Sequence, residues 1–370
     1  MTLRYDLRPG LRASTRFGAT GRHLVPLEDR DALLWFLRHL HVPHGLRARL
    51  GRLAAVASTR VAPEFALPTI EAALFEARGR YPTRDPAREL VVRAVEALAG
   101  RLPGVVPDRW IVVRDHPCRP RGRTLLFPFA PGDPEPMAAV RVRARGAGQS
   151  LEAEAAALED ARGRLPADLA ATVPEVLYAA DLDGAGVLVE SRLAGRSAYV
   201  AMRSGFAPAR LAAGHLKAAA RWLGSFHAAT RRDDGGVAVH GDFWPRNLLL
   251  DDAGAAVGVV DWEAYRPAGP WDRDLFDFPV GYALAWPWAD EGRREPLIAL
   301  SRAFLADGPV AQAIRGYLRL YSAITGTEPD RLRKAFPDYV DRRAKVRREE
   351  VPWNEFRRRL DRTDRSVFSG

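Results

Sequence analysis

Cysteine is nearly absent from these 370 residues: the single thiol, Cys118, excludes an intrachain disulfide and any cysteine-based zinc site built by one chain. Lysine is almost as scarce. Lys217, Lys334 and Lys345 are three of the 56 basic residues, and arginine supplies all the others. No apolar run approaches the roughly 18 residues of a membrane span. The opening Met1-Thr2-Leu3-Arg4-Tyr5-Asp6 lacks the apolar stretch of a secretory signal. The expectation is a cytoplasmic protein with no membrane contact.

What is present reads as a globular chain. Hydrophobic residues make up 47% and charged residues 28%, in the usual range for such proteins, and the length admits two or three compact units. A net charge of +10 raises the question of a nucleic-acid partner. Arginine is spread along the whole chain, however, which points to compositional bias, so nucleic acid is not expected. Residues 331 to 370 hold 13 basic and 7 acidic side chains, the pattern of solvated helical faces.

Residues 1–104 read as a mainly helical extension. Leu33, Leu34, Leu37 and Leu40 follow helical spacing after the acidic start Glu28-Asp29-Arg30-Asp31. Asp85-Pro86 opens a second helix with Ala87, Val91, Val95 and Leu98 on one face. His39, His41 and His44 are read as packing or surface histidines, since Pro43 breaks their register and no acidic partner is near.

From about 105 the pattern becomes strand-like, in Trp110–Val113, Thr124–Phe127 and Ala138–Arg143. A helix capped by Ser150 then places Leu151, Leu158 and Glu154 on one stripe. A carboxylate on a core-facing stripe requires a cationic partner, and Arg141 on the preceding strand is the expected one. Val173–Tyr178 and Gly186–Glu190 read as two further strands, and a helix over about 211–230 buries Leu216, Ala220, Leu223 and Phe226. His227 near its end is expected to be a packed core residue.

The chemistry concentrates in His240-Gly241-Asp242-Phe243-Trp244-Pro245-Arg246-Asn247, followed by Leu248–Leu250, the turn Asp251-Asp252-Ala253-Gly254, Val257–Val260 and Asp261-Trp262-Glu263. The turn lets the two apolar runs form a hairpin that returns Asp261 to the loop. Phosphoryl transfer needs little more than an acceptor hydroxyl held in line and metal ions that neutralise phosphate charge. Asn247 and Asp261 are hard oxygen ligands of the kind magnesium takes. Asp242, five residues before Asn247, can accept the proton of the acceptor hydroxyl.

This stretch resembles the aminoglycoside phosphotransferase and choline kinase superfamily, small-molecule relatives of protein kinases. Its catalytic loop reads His-Gly-Asp, four residues, Asn, and its metal Asp commonly stands in Asp-Trp-Glu. His240, Gly241, Asp242, Asn247, Asp261, Trp262 and Glu263 match, and Asp274-Leu275 falls where the family has a structural Asp-Leu. The resemblance implies an α+β, bilobal kinase-like fold: the extension 1–104, a β-rich lobe with hinge 105–195, and a helical lobe 196–370. It implies ATP or GTP with Mg2+, and catalytic Asp242, Asn247 and Asp261, the last two on metal. It also implies that Arg141, Glu154 and the hinge residues Glu190 and Arg192 serve the nucleotide. One departure is clear. Ala139-Val140-Arg141 stands where the family has Ala-x-Lys, and arginine's planar fork is not equivalent to an ammonium. In the turn 116–123, taken by resemblance to cover phosphates, Arg119, Arg121 and Arg123 replace most of the usual glycines; a solvated basic hairpin is the other reading.

The function expected is transfer of a γ-phosphoryl group to a hydroxyl of a small molecule. The rivals are a kinase for Ser or Thr of a peptide and a nucleotide-binding pseudokinase or scaffold. A polycationic acceptor needs a carboxylate-lined pocket, whereas this chain is cationic, so a neutral or anionic acceptor is expected. Asp272, Asp277, Asp290 and Glu291 are the local acidic groups able to reverse that expectation.

Overall fold

The computed structural model describes residues 3–4, 16–20, 23–26, 29–40, 107, 109–114, 124–144, 150–182, 185–204, 208–286, 295–346, 351–363 and 368. The helix expected from Asp85, the histidines His41 and His44, the turn arginines Arg119, Arg121 and Arg123, and Asp290 and Glu291 lie outside the described residues. The chain divides into two compact units, Met1–Glu159 with Pro174–Arg192, and Asp160–Val173 with Leu193–Gly370.

One antiparallel sheet dominates the first unit. Its strands are β1 (Leu3–Arg4), β2 (Arg16–Thr20), β3 (His23–Pro26), β4 (Arg109–Arg114), β5 (Thr124–Phe129), β6 (Ala138–Ala144), β7 (Val176–Leu182) and β8 (Ala185–Ser191), in the order β1-β2-β3-β4-β5-β6-β8-β7. The segment before 105 is therefore not helical throughout: β3 pairs His23 with Val113 and Leu24 with Val112, so three short strands extend the sheet. These were illegible in sequence because two to five residues are too few to show alternation.

Helix α1 (Arg30–His39) starts where the sequence places it. The Asp29 carboxylate accepts from the Ala32 N–H at 2.7 Å, satisfying one orphan donor of the first turn, and its other oxygen meets Arg109 at 2.7 Å. Leu33, Trp35, Phe36 and Leu37 then pack on Ile111 and Phe129 of the sheet. His39 stacks on Trp35 at 4.9 Å between ring centroids, a packing role.

Strand β6 lies between β5 and β8 and is buried on both faces. Ala138, Val140 and Val142 fill one side, and Arg141 and Arg143 are buried on the other. A buried guanidinium needs partners, and helix α2 (Leu151–Gly163) supplies one. Ser150 caps it, its hydroxyl accepting from the Ala153 N–H at 3.1 Å, and Leu151, Leu158 and Glu154 are all buried, as the stripe required.

The second unit is mainly helical: α3 (Ala167–Ala170), α4 (Ala198–Ser204), α5 (Pro208–Ala229), α6 (Asp272–Ala285), α7 (Pro296–Phe304), α8 (Pro309–Thr325), α9 (Pro329–Val346) and α10 (Trp353–Asp361). Its strands are β9 (Arg196–Ser197), β10 (Val237–Val239), β11 (Leu248–Leu250), β12 (Ala256–Val259) and β13 (Arg266–Gly269). The architecture is α+β, as expected. Leu216, Ala220, Leu223 and Phe226 of α5 are buried. Gly224 permits close approach to α8, since a Cβ there would stand 3.0 Å from Ile324. His227 Nδ1 meets the Tyr321 hydroxyl at 2.8 Å, and burial lowers its pKa to about 3, so it is a neutral core residue. Among the described residues no single helix is long and apolar enough to cross a membrane.

Candidate active site

The loop 240–247 sits between β10 and β11. Strand β11 pairs with β12 on one side and β9 on the other, Leu248 standing opposite Val259. The turn joining β11 to β12 closes as the sequence implies: the Asp251 side chain accepts from the Ala255 N–H at 2.8 Å, and Gly254 adopts φ +83°. The Val260 N–H donates to the Asn247 carbonyl at 2.9 Å. This bond holds the residue before Asp261 against the end of the loop, which is the convergence expected of the hairpin.

Within the loop, His240 works through its backbone and both ring nitrogens. Its Nε2 lies 3.1 Å from the Val260 carbonyl, and its Nδ1 accepts from the Asp242 N–H at 3.3 Å. The proton is therefore on Nε2, and the ring braces the loop against the hairpin. The fully buried Asp274 of α6 accepts the His240 N–H at 2.6 Å on one oxygen and the Gly241 N–H at 2.9 Å on the other. Burial is the main cause that pushes its pKa to about 7, with Asp277 adding to it and the two backbone N–H groups opposing. Gly241 has φ +80°, and a Cβ would come within 2.2 Å of the Ala264 carbonyl, so only glycine fits.

Asp242 is half-buried and Asn247 is buried. The Asn247 amide nitrogen donates to the Asp242 carbonyl at 2.8 Å and to Asp242 Oδ2 at 3.1 Å. Desolvation is the largest cause that raises the Asp242 pKa; Arg246 opposes it, and Asp261 and Asp277 add to it. With its NH2 engaged on Asp242, Asn247 retains its amide oxygen as a donor for a cation. Asp261 has φ 71° and ψ 60°, the one described non-glycine residue with positive φ. Few non-glycine residues adopt this left-handed region, and aspartate is among those that do so at least cost. An amide oxygen and a carboxylate suit magnesium, which takes one or two protein ligands and completes its shell with water and phosphate. No group of three His, Cys, Asp or Glu side chains placed to hold a metal exists among the described residues.

The sequence-predicted nucleotide residues lie in the first unit. Arg141 contacts Glu154 at 2.7 Å through an η nitrogen and Glu190 at 3.1 Å through Nε. All three are nearly excluded from solvent, Glu154 completely. The expected strand-to-helix pair is thus present, with Glu190 joining it through its side chain. Arg192 pairs instead with Glu135.

Two groups beside the loop had no assigned role in sequence. Asp277, considered above only as part of an acidic patch, accepts the Tyr339 hydroxyl at 2.7 Å and lies 3.5 Å from Arg343. Arg246 lies over the Trp244 ring at 5.7 Å. For Arg246 the available signal was its place directly before Asn247.

The class of protein that this part of the chain resembles is a phosphotransferase: residues 230–317, which hold the loop, the hairpin and α6, match the model of the phosphotransferase enzyme family. Among solved structures, aminoglycoside phosphotransferase APH(3'')-Id from Streptomyces rimosus is similar at 14% identity over 65% of this chain and 97% of its own, with a TM-score of 0.40. An aminoglycoside-3'-phosphotransferase of type VIII is similar at 20% identity over 77% of this chain and 100% of its own, with a TM-score of 0.41. No curated protein matches the sequence.

Proposed function

We propose that the protein is a phosphotransferase that moves the γ-phosphoryl group of ATP, with magnesium, to a hydroxyl of a small molecule that is neutral or anionic. The observation that carries the reading is the joint placement of Asp242 and Asn247. One amide orients the base through two hydrogen bonds, and its oxygen remains for the metal. The match of residues 230–317 to the phosphotransferase family model supports the same reaction class.

In this reading the acceptor hydroxyl lies against Asp242. Its oxygen forms a bond to the γ-phosphorus, the bridging P–O bond breaks with its electron pair leaving on ADP, and the hydroxyl proton passes to Asp242. A raised pKa suits a base that must take that proton. The metal, when bound, neutralises phosphate charge; Asn247 and Asp261 would hold it. Arg141, held by Glu154 and Glu190, would be the residue of the first unit that meets the nucleotide phosphates, with the charge of the cluster shared among the three.

The arginine partners of Asp272 and Asp277 support this acceptor class. Asp272 pairs with Arg342, and Asp277 with Arg343 and, at 3.8 Å, Arg273. Carboxylates already neutralised in this way do not provide the anionic lining that a polycation requires. A coupled ATPase assay over a panel of hydroxyl compounds tests the reading. Turnover should rise with neutral or anionic acceptors such as sugars and nucleoside-like compounds. Efficient turnover of kanamycin-like polycations alone would overturn the acceptor class, and the absence of any acceptor-stimulated turnover would overturn the reaction.

A further inference from the structure

The loop that carries Asp242 and Asn247 also carries a cation to which the roles above give no task. Arg246 follows Asp242 by four residues and directly precedes Asn247. It is exposed although Pro245 and Asn247 on either side are buried, and among the described residues no carboxylate forms an ion pair with it.

The position of Arg246 is nevertheless defined. Its guanidinium carbon stands 5.7 Å from the centroid of Trp244. Trp244 in turn lies directly on α6, since a Cβ on Gly281 would come within 2.2 Å of its ring. Stacking on a fixed indole orients a guanidinium while leaving its N–H fork free. An exposed arginine in an arginine-rich chain is more often a solvated surface residue. Against that reading stand the stack on Trp244 and the charge balance at Asp242. Asp261 and Asp277 act on Asp242 with negative charge, and Arg246 is the cation that opposes them. A cation at this place offsets part of the negative charge that an incoming phosphate meets beside Asp242.

We propose that Arg246 is a catalytic residue that binds the phosphoryl group during transfer, its two terminal nitrogens donating to two non-bridging oxygens. The proposal rests on the phosphotransferase reading and deepens it. The acceptor oxygen bonds to phosphorus, the bond to the bridging oxygen breaks onto the diphosphate, and the hydroxyl proton goes to Asp242. Arg246 keeps its proton throughout and contributes charge and two hydrogen bonds that strengthen as the phosphoryl group becomes planar.

The test is calorimetric titration of the wild type, Arg246→Ala and Arg246→Lys with MgADP, alone and with aluminium fluoride, a planar mimic of the transferring group. Complete arginine contributions of this kind are worth about 10³- to 10⁵-fold. Arg246→Ala should therefore bind MgADP alone to within about threefold of wild type, yet lose at least about tenfold of the tightening that fluoride produces. Arg246→Lys should recover part of it, keeping charge without the fork. Slow ATP hydrolysis should lose kcat with little change in KM. Equal tightening in wild type and Arg246→Ala would overturn the proposal, as would an equal loss of MgADP binding with and without fluoride. A wild type that binds no MgADP at all would overturn the nucleotide reading itself and this proposal with it.

Discussion

The buried arginine of the first unit and the loop carboxylates of the second are held by different means. In the first, charge meets charge: Arg141 lies between Glu154 and Glu190 at 2.7 and 3.1 Å, away from water. In the second, Asp272 and Asp277 also keep arginine partners, but the two carboxylates that shape the loop meet backbone and amide groups. Asp274 takes two backbone N–H groups, and Asp242 takes an asparagine. An ion pair fixes the charge state of its members, whereas neutral donors fix geometry and leave the carboxyl's affinity for a proton raised by burial, as at Asp242 and Asp274. A phosphate anchor needs permanent charge, and a base needs a proton affinity it can use. The contrast is the division of labour that the proposed reaction requires.

The sharpest way to break this contrast is within the second unit. Asp242→Ala removes the base and should lower turnover by about 10²- to 10⁴-fold while Mg-ATP still binds. Asp261→Ala should weaken Mg-ATP binding itself. Calorimetric titration of both variants separates the roles, and an equal loss of binding in the two would refute them.

The next largest effect belongs to the first unit. Arg141→Ala leaves two buried carboxylates, Glu154 and Glu190, without their cation and should cost about 3 to 5 kcal/mol in urea unfolding. If Arg141 also serves phosphate, Arg141→Ala should raise the nucleotide KM and lower kcat, and Arg141→Lys should keep part of the activity. A destabilised Arg141→Ala protein with unchanged nucleotide affinity would make the triad purely structural.

This difference between the units was partly legible in sequence. Glu154 falls on the same stripe as Leu151 and Leu158, so periodicity pointed to its burial, and the resemblance to kinase-like enzymes favoured Arg141 as its partner over a solvent-facing carboxylate. The loop and hairpin followed from residue spacing, and the Asp251–Gly254 turn from its composition. Glu190 was read as a hinge residue through its backbone, because strand order places a residue without saying which neighbour its side chain meets. Likewise Asp277 looked like an open acid until α9 brought Tyr339 and Arg343 to it, 62 and 66 residues later in the chain. The strands β1 to β3 were too short to carry a period. Local pattern reveals faces and turns; partners distant in sequence are fixed only by packing.

The smallest expected effect concerns the clamp. Asp274→Asn keeps the shape but offers one acceptor oxygen where two N–H groups, from His240 and Gly241, need one each, and should cost about 1.5 to 3 kcal/mol. Its pH dependence is the more telling readout. The folded pKa of Asp274, about 7, lies above the ordinary aspartate value of 3.8, so the folded state binds this proton more tightly than the unfolded chain. The linked stability is therefore complete below about pH 4 and lost as pH rises through about 7. The stability of wild type relative to Asp274→Asn should fall across that window and level off above it. Activity should run the other way, because only the ionised carboxylate accepts both N–H groups; wild-type turnover should rise through about pH 7, with that rise missing in the variant. Urea midpoints and kcat measured from pH 4 to 8 decide the point. Parallel stability curves for the two proteins would mean that Asp274 is ionised throughout, held so by the two backbone N–H groups, and that backbone donors alone can fix a buried charge as firmly as the ion pair of the first unit.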